Sequence, residues 1–553
     1  MAKGVKILFL GGVGEVGKNM YALECGEDII VLDAGMGFPD ETMPGIDSVV
    51  QDITYLEQNK DKVKAYVISH GHEDHIGGLP YALASVPAPI YGSRMTLSLI
   101  ENKLREHPGI KVKAIVVKAR SVVEIGCFKV EFVHVNHSIA GSFALSVTTP
   151  FGVIFFTGDY KVDYIPVDGQ MIDLARIGAI GQKGVTLMMG ESTNVERPGN
   201  TLSETHVGES LDKLFAENKD RRIFVTTFAS NVHRVQQLFD LAAKYKRKVA
   251  FGGRSMINVT DTAIKIGEMR AQPESIVDIN HLSNFKDNEI LVVLTGSQGQ
   301  PNTALARMSR GEFPRLQLGA NDTVIFASSP IPGNEGAVNN IVNNLVKCGT
   351  EVIYESLAEV HASGHACQEE MKLMLSLVNP HFFMPVHGEY KHLKKHAKLA
   401  EALGVNKRNI IVPDLGDCVE LSVNNLKKIG SIPSGAVLID GSGSGSSESS
   451  VLRDRQTLAA DGICIIGIGF DKKTGAITSG PDIATRGLLY SEELIDFMDE
   501  AKMAVLDSIK NNNINLSKGD AGEIRNTIRK DVQNFFNKVV KRRPMVITML
   551  QGS

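Results

Sequence analysis

The chain has 553 residues, a hydrophobic content of 43% and a formal net charge of −4. This length exceeds what one hydrophobic core usually holds, so we expect two to four domains. The absence of an apolar run of about 18 residues argues against a membrane-spanning helix. The slightly acidic balance argues against indiscriminate binding of polyanions, although a local basic groove would not show in the sum.

The cysteines and the first residues bear on the cellular compartment. The six cysteines are scattered without a Cys-x-x-Cys pair, which is typical of reduced thiols rather than of a disulfide framework. The opening residues lead directly into a strand-like run and not into a signal peptide. We therefore expect a cytoplasmic protein that does not contact a membrane.

The first predicted elements enclose a glycine motif. Gly12-Val13-Gly14-Glu15-Val16-Gly17 follows a strand-like run, and Asp33 lies 16 residues beyond Gly17, as in dinucleotide-binding folds. Such a fold needs a helix next. Residues 19–25 read instead as a strand, with a turn at 26–28 into another strand. We predict a glycine-rich hairpin that leads towards a site.

The most informative segment follows the next predicted strand. Residues 63–69 read as a buried strand that runs into His70-Gly71-His72-Glu73-Asp74-His75. Imidazole nitrogen and carboxylate oxygen both suit zinc or manganese. In an extended segment His70 and His72 project to the same side, and a turn after them can bring Asp74 and His75 to a second ion. The alternative is a polar surface loop that happens to be rich in histidine.

More polar groups follow apolar runs downstream. His137, Asp159 and His387 each come after such a run, where an α/β sandwich places its site. From about residue 206 to 360, strand–loop–helix units repeat, among them a strand at 222–227 before a helix from about Asn231 to Lys244. These repeats predict a parallel sheet in a separate α/β domain.

The C-terminal fifth of the chain has a different composition. Residues 441–447 contain only glycine and serine and predict a flexible linker. Residues 451–553 predict a smaller α/β domain with helices near 491–511 and 520–540. The chain also carries Lys541-Arg542-Arg543, which either contacts RNA or is a solvated end.

The predicted ligands together resemble those of the metallo-β-lactamase superfamily. The resemblance implies two Zn²⁺ or Mn²⁺ ions per subunit. It implies that the first ion is bound by His70, His72 and His137, that Asp159 bridges the two ions, and that the second is bound by Asp74, His75 and His387.

Further segments resemble one branch of this superfamily, the β-CASP nucleases. They are Glu191-Ser192-Thr193-Asn194, Phe228-Ala229-Ser230-Asn231, Thr295-Gly296-Ser297-Gln298-Gly299, Ile331-Pro332-Gly333-Asn334, His361-Ala362-Ser363-Gly364-His365 and Pro385-Val386-His387-Gly388-Glu389-Tyr390. Over its whole length the chain resembles the bacterial ribonuclease J family.

This resemblance implies an α/β fold in which an αββα metallo-β-lactamase sandwich carries an inserted β-CASP α/β domain and a small C-terminal α/β domain. We expect the sandwich at 1–205 and 361–440, the β-CASP domain at 206–360, the linker at 441–450 and the C-terminal domain at 451–553. The resemblance also implies a homodimer or homotetramer that acts alone, with a paralogue or within an RNA-decay complex.

The implied activity is a metal-dependent ribonuclease with 5′-3′ exonuclease and endonuclease activity, acting in RNA maturation, including that of rRNA, and in mRNA decay. Two divalent ions about 3.5–4 Å apart can share a water, lower its pKa and stabilise both oxygens of a phosphodiester, with Asp74 holding the water in line. We predict that His365 protonates the leaving oxygen and that Glu191 raises the pKa of its imidazole.

Two other functions remain open. Another hydrolase of the superfamily, such as a thioesterase or lactonase, would need the metal site but not the large insertion. A weakly active or non-catalytic RNA-binding subunit of a ribonuclease complex would predict missing ligands, and all seven are present. Two departures bear on activity: Glu191 stands where the family usually has Asp, and Ala140-Gly141 stands where it usually has Pro-Asp.

RNA contacts are predicted in two segments. Ser230, Asn231 and Val232 lie at a strand-to-helix turn, where backbone N–H groups favour anions, although a plain helix cap is the alternative. By resemblance, these residues and His361-Ala362-Ser363-Gly364-His365 grip the RNA backbone or a 5′-monophosphate end.

A structural Ca²⁺ site is also implied by resemblance. Its residues would be Gly45, Asp47 and Asp440. Oxygen ligands suit calcium, and two loop caps are the alternative.

Overall fold

The structure is a computed structural model that describes residues 4–40, 42–314, 316–331, 333–354, 357–441, 443–446, 450–488 and 494–553. The chain divides into two compact units, Met1–Gly37 with Val50–Gly435, and Phe38–Val49 with Ala436–Ser553. Among the described residues, no helix is both long enough and apolar enough to cross a membrane. The six cysteines are free thiols.

The first part of the chain alternates short strands and helices. Its elements are, in chain order, β1 (Val5–Gly11), β2 (Met20–Cys25), β3 (Asp28–Leu32), β4 (Ser48–Gln51), α1 (Thr54–Gln58), β5 (Val63–Val67), α2 (Glu73–Ile76), α3 (Leu79–Ser85), β6 (Ile90–Gly92), α4 (Arg94–Leu104), β7 (Ala114–Val116), β8 (Val122–Ile125), β9 (Phe128–His134), β10 (Phe143–Thr149), β11 (Gly152–Phe156), α5 (Leu174–Lys183) and β12 (Leu187–Glu191).

The middle of the chain also alternates strands and helices. Its elements are α6 (Glu204–Glu217), β13 (Arg222–Thr226), α7 (Val232–Lys244), β14 (Lys248–Gly252), α8 (Arg254–Ile266), β15 (Ile290–Leu294), α9 (Ala304–Ser309), β16 (Asp322–Phe326), α10 (Glu335–Lys347), β17 (Glu351–Ile353), α11 (Gln368–Val378), β18 (Phe382–Val386), α12 (Tyr390–Ala402), β19 (Asp417–Ser422) and β20 (Asn425–Ser431).

Two sheets face each other across an apolar core. One has the strand order β20-β19-β1-β2-β3-β5-β6-β7 and the other β18-β12-β11-β10-β9-β8. Phe9 from the first sheet and Phe132 and Leu187 from the second are buried between them. Helices cover both outer faces, with Leu83 of α3 on one side and Met371 of α11 on the other. The predicted αββα sandwich is confirmed.

The glycine motif joins two antiparallel strands. β1 and β2 pair in the register Lys6↔Glu24, and β2 pairs antiparallel with β3. A strand and not a helix therefore follows Gly17, which confirms the hairpin prediction. The glycines meet the geometric demand of this tight turn, since Gly12, Gly14 and Gly17 all have positive φ.

The inserted segment builds a second kind of sheet. Its strand order is β14-β15-β13-β16-β17, and all neighbouring pairs are parallel. The predicted helix after β13 is present as α7. Because α6–α10 cover a parallel sheet, this part is a separate α/β layer of the first unit, as the strand–loop–helix repeats predict.

The second unit contains the C-terminal residues. Its elements are β21 (Ala436–Asp440), β22 (Gly443–Ser446), α13 (Ser450–Asp461), β23 (Ile463–Phe470), β24 (Ile477–Arg486), α14 (Leu494–Asn511), α15 (Ala521–Val540) and β25 (Met545–Gly552). A sheet of order β24-β23-β25 buries Ile466 against Val505 of α14 and Ile528 of α15. Both predicted helices are present, and residues 491–493 of the first lie outside the described part.

The flexible-linker prediction is wrong for part of its range. Gly443–Ser446 form β22, which pairs antiparallel with Val437–Asp440 of β21. Backbone pairing needs no particular side chain, so an available strand edge overrides the low strand propensity of glycine and serine. Residues 442 and 447–449 lie outside the described residues. The inclusion of Phe38–Val49 in this unit was not predicted.

Candidate metal centre

Loops that leave neighbouring strands converge at one edge of the sandwich. His70 and His72 follow β5, His137 follows β9, Asp159 follows β11, and His387 follows β18. The carboxyl ends of these strands meet in space although residues 72 and 387 are far apart in sequence. The structure thus brings together all seven residues of the predicted ligand set, in overlapping groups whose ligand atoms lie within 4.8 Å of one another.

The first group consists of three histidines. Nδ1 of His72 lies 3.2 Å from Nε2 of His70 and 2.9 Å from Nε2 of His137. His70 and His137 are buried, and His72 is half-buried. Three ring nitrogens that converge in this way form one face of a tetrahedral zinc site.

The second group adds two carboxylates. Oδ2 of Asp159 lies 3.2 Å from Nε2 of His75 and 3.5 Å from Nε2 of His387. Oδ2 of Asp74 lies 3.5 Å and 3.2 Å from the same two nitrogens. Asp159 also faces the first group, with its Oδ2 3.6 Å from Nε2 of His70. Its position between the groups is the one that a bridging ligand needs.

The donor set fits a pair of divalent cations. Oδ2 of Asp159 is buried and accepts no hydrogen bond from any residue that the structure describes. A buried carboxylate oxygen without a donor is costly, and here three histidine Nε2 atoms surround it. A cation at this point would satisfy both the carboxylate and the ring nitrogens.

The outer nitrogen of each ligand histidine shows which tautomer it adopts. Nδ1 of His75 lies 2.8 Å from Oδ2 of Asp33, and Nδ1 of His137 lies 2.6 Å from the Gly364 carbonyl. Both partners accept only, so both Nδ1 atoms donate. Such contacts orient metal-binding imidazoles and raise their basicity. The Nε2 lone pairs therefore point inwards.

Hydroxyl groups play the same part for two other histidines. Ser69 Oγ donates to Asp33 and lies 2.9 Å from Nδ1 of His70, so it accepts from that nitrogen. Thr193 Oγ1 donates to the His387 carbonyl and lies 2.8 Å from Nδ1 of His387. Asp33, Ser69 and Thr193 were not predicted as site residues; the one available signal was that Asp33 also follows a strand at this edge.

Burial and charge act differently on the two groups. Burial holds the pKa of His70 and His137 well below its usual range and lowers the pKa of His72 to about 4. Burial also opposes a charge on His75, but the carboxylate of Asp159 and its neighbours outweigh it and raise that pKa. The first group therefore offers neutral nitrogens, the form that binds a metal. In the second group the carboxylates of Asp74 and Asp159 favour a positive charge beside them, which a metal cation would supply.

His365 lies beside the centre without belonging to the predicted ligand set. Its Nδ1 is 3.4 Å from Oε1 of Glu191 and 3.9 Å from Oδ2 of Asp159. Burial opposes a charge on this imidazole, but Glu191 and Asp159 outweigh it and raise the pKa of His365 to about 9. The ring is a proton carrier at neutral pH, and its geometry matches the predicted pairing with Glu191.

The segment that carries His365 is fixed at several points. The Asn194 amide donates to Ser363 Oγ and to the His365 carbonyl, and Thr201 Oγ1 donates to the same carbonyl. Gly364 lies so close to the centre that a Cβ there would meet His137 Cε1 at 2.7 Å. The segment 361–365 is thus built against the first metal group.

The predicted phosphate-binding turn has a capping role in the structure. The Asn231 side chain accepts from the Arg234 N–H at the start of α7. The N–H groups of Asn231 and Val232 donate to the carbonyls of Phe228 and Ser230 within the turn. A phosphate at this turn would therefore meet the helix N-terminus and the side chains rather than those two amides.

The departure at 140–141 leaves a tight backbone approach. Gly141 has φ +76°, and a Cβ there would meet Ser93 Oγ at 2.4 Å. Ser93 in turn caps α4 by accepting from the Thr96 N–H. Ala140 and Gly141 line a small cavity that also reaches His137.

The residues predicted to bind calcium belong to the second unit. Arg455 donates to the Gly45 carbonyl at 3.0 Å and to the Asp440 carboxylate at 2.7 Å, and the Asp47 N–H donates to Ile439. The positive charge that these oxygens contact is the Arg455 guanidinium, and the calcium site stays a prediction.

In the basic stretch near residue 541, Arg542 donates to the Ala460 carbonyl.

Comparison with known families accounts for most of the chain. The metallo-beta-lactamase superfamily matches residues 13–167, the ribonuclease J beta-CASP domain 220–345, a Zn-dependent metallo-hydrolase RNA specificity domain 351–413, and the ribonuclease J C-terminal domain 450–552. With the αββα sandwich and the buried histidine–aspartate centre, these matches define a metallo-hydrolase of the metallo-β-lactamase superfamily with a β-CASP domain.

Relatives that match nearly the whole chain identify the family within this class. The chain is 39% identical to ribonuclease J of Synechocystis sp. over 99% of this chain and 86% of that one. It is 39% identical to ribonuclease J 1 of Streptococcus pyogenes serotype M3 over 99% and 97%. The chain belongs to the ribonuclease J family, which confirms the resemblance seen in its motifs.

The fold has a counterpart among solved structures. A crystal structure of a protein of unknown function from Enterococcus faecalis V583 aligns with a TM-score of 0.54 at 16% identity. The alignment covers 77% of this chain and 100% of that one. This likeness concerns the fold alone.

Proposed function

We propose that the protein hydrolyses RNA phosphodiesters as a 5′-3′ exonuclease and an endonuclease, in RNA maturation and mRNA decay. The observation that carries the proposal is the position of His365 beside the seven-residue His/Asp centre, with its Nδ1 3.4 Å from Glu191 Oε1 and 3.9 Å from Asp159 Oδ2. A thioesterase or lactonase would need the centre but not the parallel α/β layer beside it.

The metal ligands are assigned as the sequence predicts. His70, His72 and His137 would hold one ion, Asp74, His75 and His387 would hold a second, and Asp159 would contribute to both. Zn²⁺ or Mn²⁺ suits this donor set. When bound, such ions supply an activated water and stabilise charge on the phosphate oxygens.

The proton for the leaving oxygen comes from His365. Its pKa near 9 keeps the imidazole charged at neutral pH, and the buried carboxylate of Glu191 holds Nδ1 on one side of the ring. Nε2 is then the atom that gives a proton to the 3′ oxygen as the phosphodiester bond breaks. General acid catalysis of this kind contributes about 10²–10⁴-fold in rate.

RNA binds across the segment His361-Ala362-Ser363-Gly364-His365 and the turn Ser230-Asn231-Val232. The helix N-terminus of α7 favours a terminal phosphate at the turn. Because both segments are anchored by hydrogen bonds, a 5′-monophosphate held there lies at a fixed distance from the metal centre. A fixed distance explains removal of one nucleotide at a time.

By family membership we also propose a homodimer or homotetramer.

The test uses one labelled RNA with a 5′-monophosphate, a 5′-triphosphate or a 5′-hydroxyl end, incubated with Zn²⁺ or Mn²⁺. We expect mononucleotides chiefly from the monophosphate form and no cleavage by the Asp74→Ala/His75→Ala variant. Equal rates on all three ends would refute the phosphate pocket. No cleavage despite bound metal would favour a non-catalytic RNA-binding subunit, with the Ala140-Gly141 departure as its cause.

A further inference from the structure

Arg234 is a fully buried cation in the first turn of α7, with 0% of its surface exposed. Its Nε and Nη2 donate to Oε2 of Glu204 at 3.1 and 2.6 Å. Its Nη1 donates to the carbonyls of Ala327 at 2.9 Å and Val360 at 2.8 Å. One guanidinium thus donates hydrogen bonds to acceptors in three separate segments of the chain.

The three acceptors lie in different segments of the chain at the carboxyl edge of the parallel sheet. Glu204 is the first residue of α6, Ala327 follows β16, and Val360 immediately precedes His361. Arg234 itself lies three residues after Asn231, whose side chain caps the Arg234 N–H. The guanidinium therefore links the turn 230–232 directly to the segment 361–365.

The link continues to the metal centre. Beyond Val360, the Gly364 carbonyl accepts from Nδ1 of His137, and Asn194 holds the His365 carbonyl. Val360 therefore lies four residues before the carbonyl that orients His137 and five residues before the proposed proton donor, His365.

Stability alone does not require a charged pair here. A buried ion pair is often no more stabilising than well-packed apolar side chains of the same volume. The planar fork of arginine does supply fixed directions to several acceptors at once, which lysine cannot. The particular contribution of this pair is therefore geometric.

We propose that Arg234, oriented by Glu204, is a positioning residue that sets the 5′-phosphate turn at 230–232 against the segment 361–365. The inference rests on the proposed function and deepens it: the pair fixes the distance between the terminal phosphate of RNA and the cleaved bond. It touches neither RNA nor metal.

The test compares three variants of the full chain. Arg234→Lys keeps the charge and loses the fork. The double variant Arg234→Met/Glu204→Met removes both charges of the pair, and the buried Lys161, which lies 3.8 Å from Glu204, keeps Asp163 as a partner at 3.5 Å. Arg247→Lys is the matched control. Arg247 is also buried, and it donates to the carbonyls of Arg221 and Ile290 at the opposite, amino edge of the same sheet.

Four quantities are measured: cleavage of 5′-monophosphate and 5′-hydroxyl RNA with kcat and KM separated, product lengths, metal content and Tm. We expect both Arg234 variants to lose about 10- to 100-fold of the monophosphate preference, mainly through KM, and to release products of mixed length. Their metal content stays at the wild-type level, and Arg247→Lys lowers Tm without changing the preference.

The inference is overturned if either folded Arg234 variant keeps the wild-type preference and product length, or if Arg247→Lys alters them equally. The second result would mean a general stability effect. If Arg234→Lys does not fold, the double variant decides. Failure of the proposed function looks different, because the wild-type protein would then show no cleavage or no preference for a 5′-monophosphate.

Discussion

Nδ1 of His365 faces Oε1 of Glu191 at 3.4 Å, and the glutamate is itself held in place from two sides. Its Oε2 accepts from the Thr193 N–H at 3.0 Å and its Oε1 from the Ala366 N–H at 3.3 Å. The backbone N–H groups of Thr193 and Ala366 thus fix the Glu191 carboxylate beside His365. The His365 ring cannot turn without losing its carboxylate.

Replacing His365 should therefore separate catalysis from metal binding. We expect His365→Ala to lower kcat on RNA by about 10²–10⁴-fold, with zinc content unchanged. Steady-state kinetics and metal analysis of the same preparation check this. His206→Ala is the control, since His206 lies 3.3 Å from Glu209 in an exposed His/Glu pair on α6. Loss of metal in His365→Ala would make His365 a ligand instead.

Asp33 is expected to control metal affinity without touching a metal. Its carboxylate accepts from Ser69 and lies 2.8 Å from Nδ1 of His75, so Asp33→Asn would present an N–H to a donor. We expect zinc affinity to fall about 10- to 100-fold, measured by competition with a chelator. Asp28→Asn, at the other end of β3, removes the charge beside Lys64 but keeps an oxygen that accepts from the Cys127 N–H, and it should leave affinity unchanged.

The sequence predicted the metal ligands but not the residues that orient them. The segment from His70 to His75 was visible because four predicted ligands lie within six residues. Asp33 was not, since a single Asp after a strand also suits the dinucleotide-binding pattern started by Gly12. Its role depends on β3 and β5 lying side by side, a tertiary pairing that local patterns do not specify.

A glycine close to the first metal group gives a third test. A Cβ on Gly364 would meet Ser138 Oγ at 2.6 Å and His137 Nδ1 at 2.8 Å. Gly364→Ala should therefore displace His137 and lower both zinc content and RNA cleavage. The control is Gly336→Ala in α10, where the added Cβ meets nothing within 4 Å; it should raise stability by up to about 1 kcal/mol. Unchanged metal content in Gly364→Ala would contradict the close packing.

The Arg234–Glu204 pair predicts a pH dependence of stability. Burial opposes ionisation of Glu204, but Arg234 and Lys161 outweigh it and hold the pKa of Glu204 below its usual value of 4.5. The ionised pair then contributes stability that is fully present above pH 4.5 and lost as pH falls through the lower, folded-state pKa. Glu204→Gln should cost about 3 kcal/mol at pH 7, with the difference shrinking below pH 4.5.

Thermal unfolding between pH 3 and 8 measures this effect. Glu209→Gln, an exposed neighbour on α6, is the control and should follow the wild-type curve. A wild-type advantage that does not change with pH would mean that the glutamate packs without being charged.

Arg234 shows where the sequence misleads. An arginine in the first turn of an amphipathic helix is usually a solvated residue, and nothing nearby in sequence marks it as buried. It is buried because Glu204, at the start of α6, and the carbonyls of Ala327 and Val360, from two loops, converge on it. By contrast, the strands, helices and parallel order of this layer follow from local apolar patterns, which is why they were predicted.

The approach of Gly141 to Ser93 makes the two positions epistatic. An aspartate at 141 tolerates a positive φ better than most residues, so the backbone alone does not bar the residue that is usual in the family. A side chain at position 141 is barred instead by Ser93, because its Cβ would lie 2.4 Å from Ser93 Oγ. Gly141→Asp should be deleterious on its own and tolerated once Ser93→Gly, which still permits a helix cap, has opened the space. In evolution, Gly141→Asp is then accepted only after Ser93 has been replaced, so the order of the two substitutions is fixed.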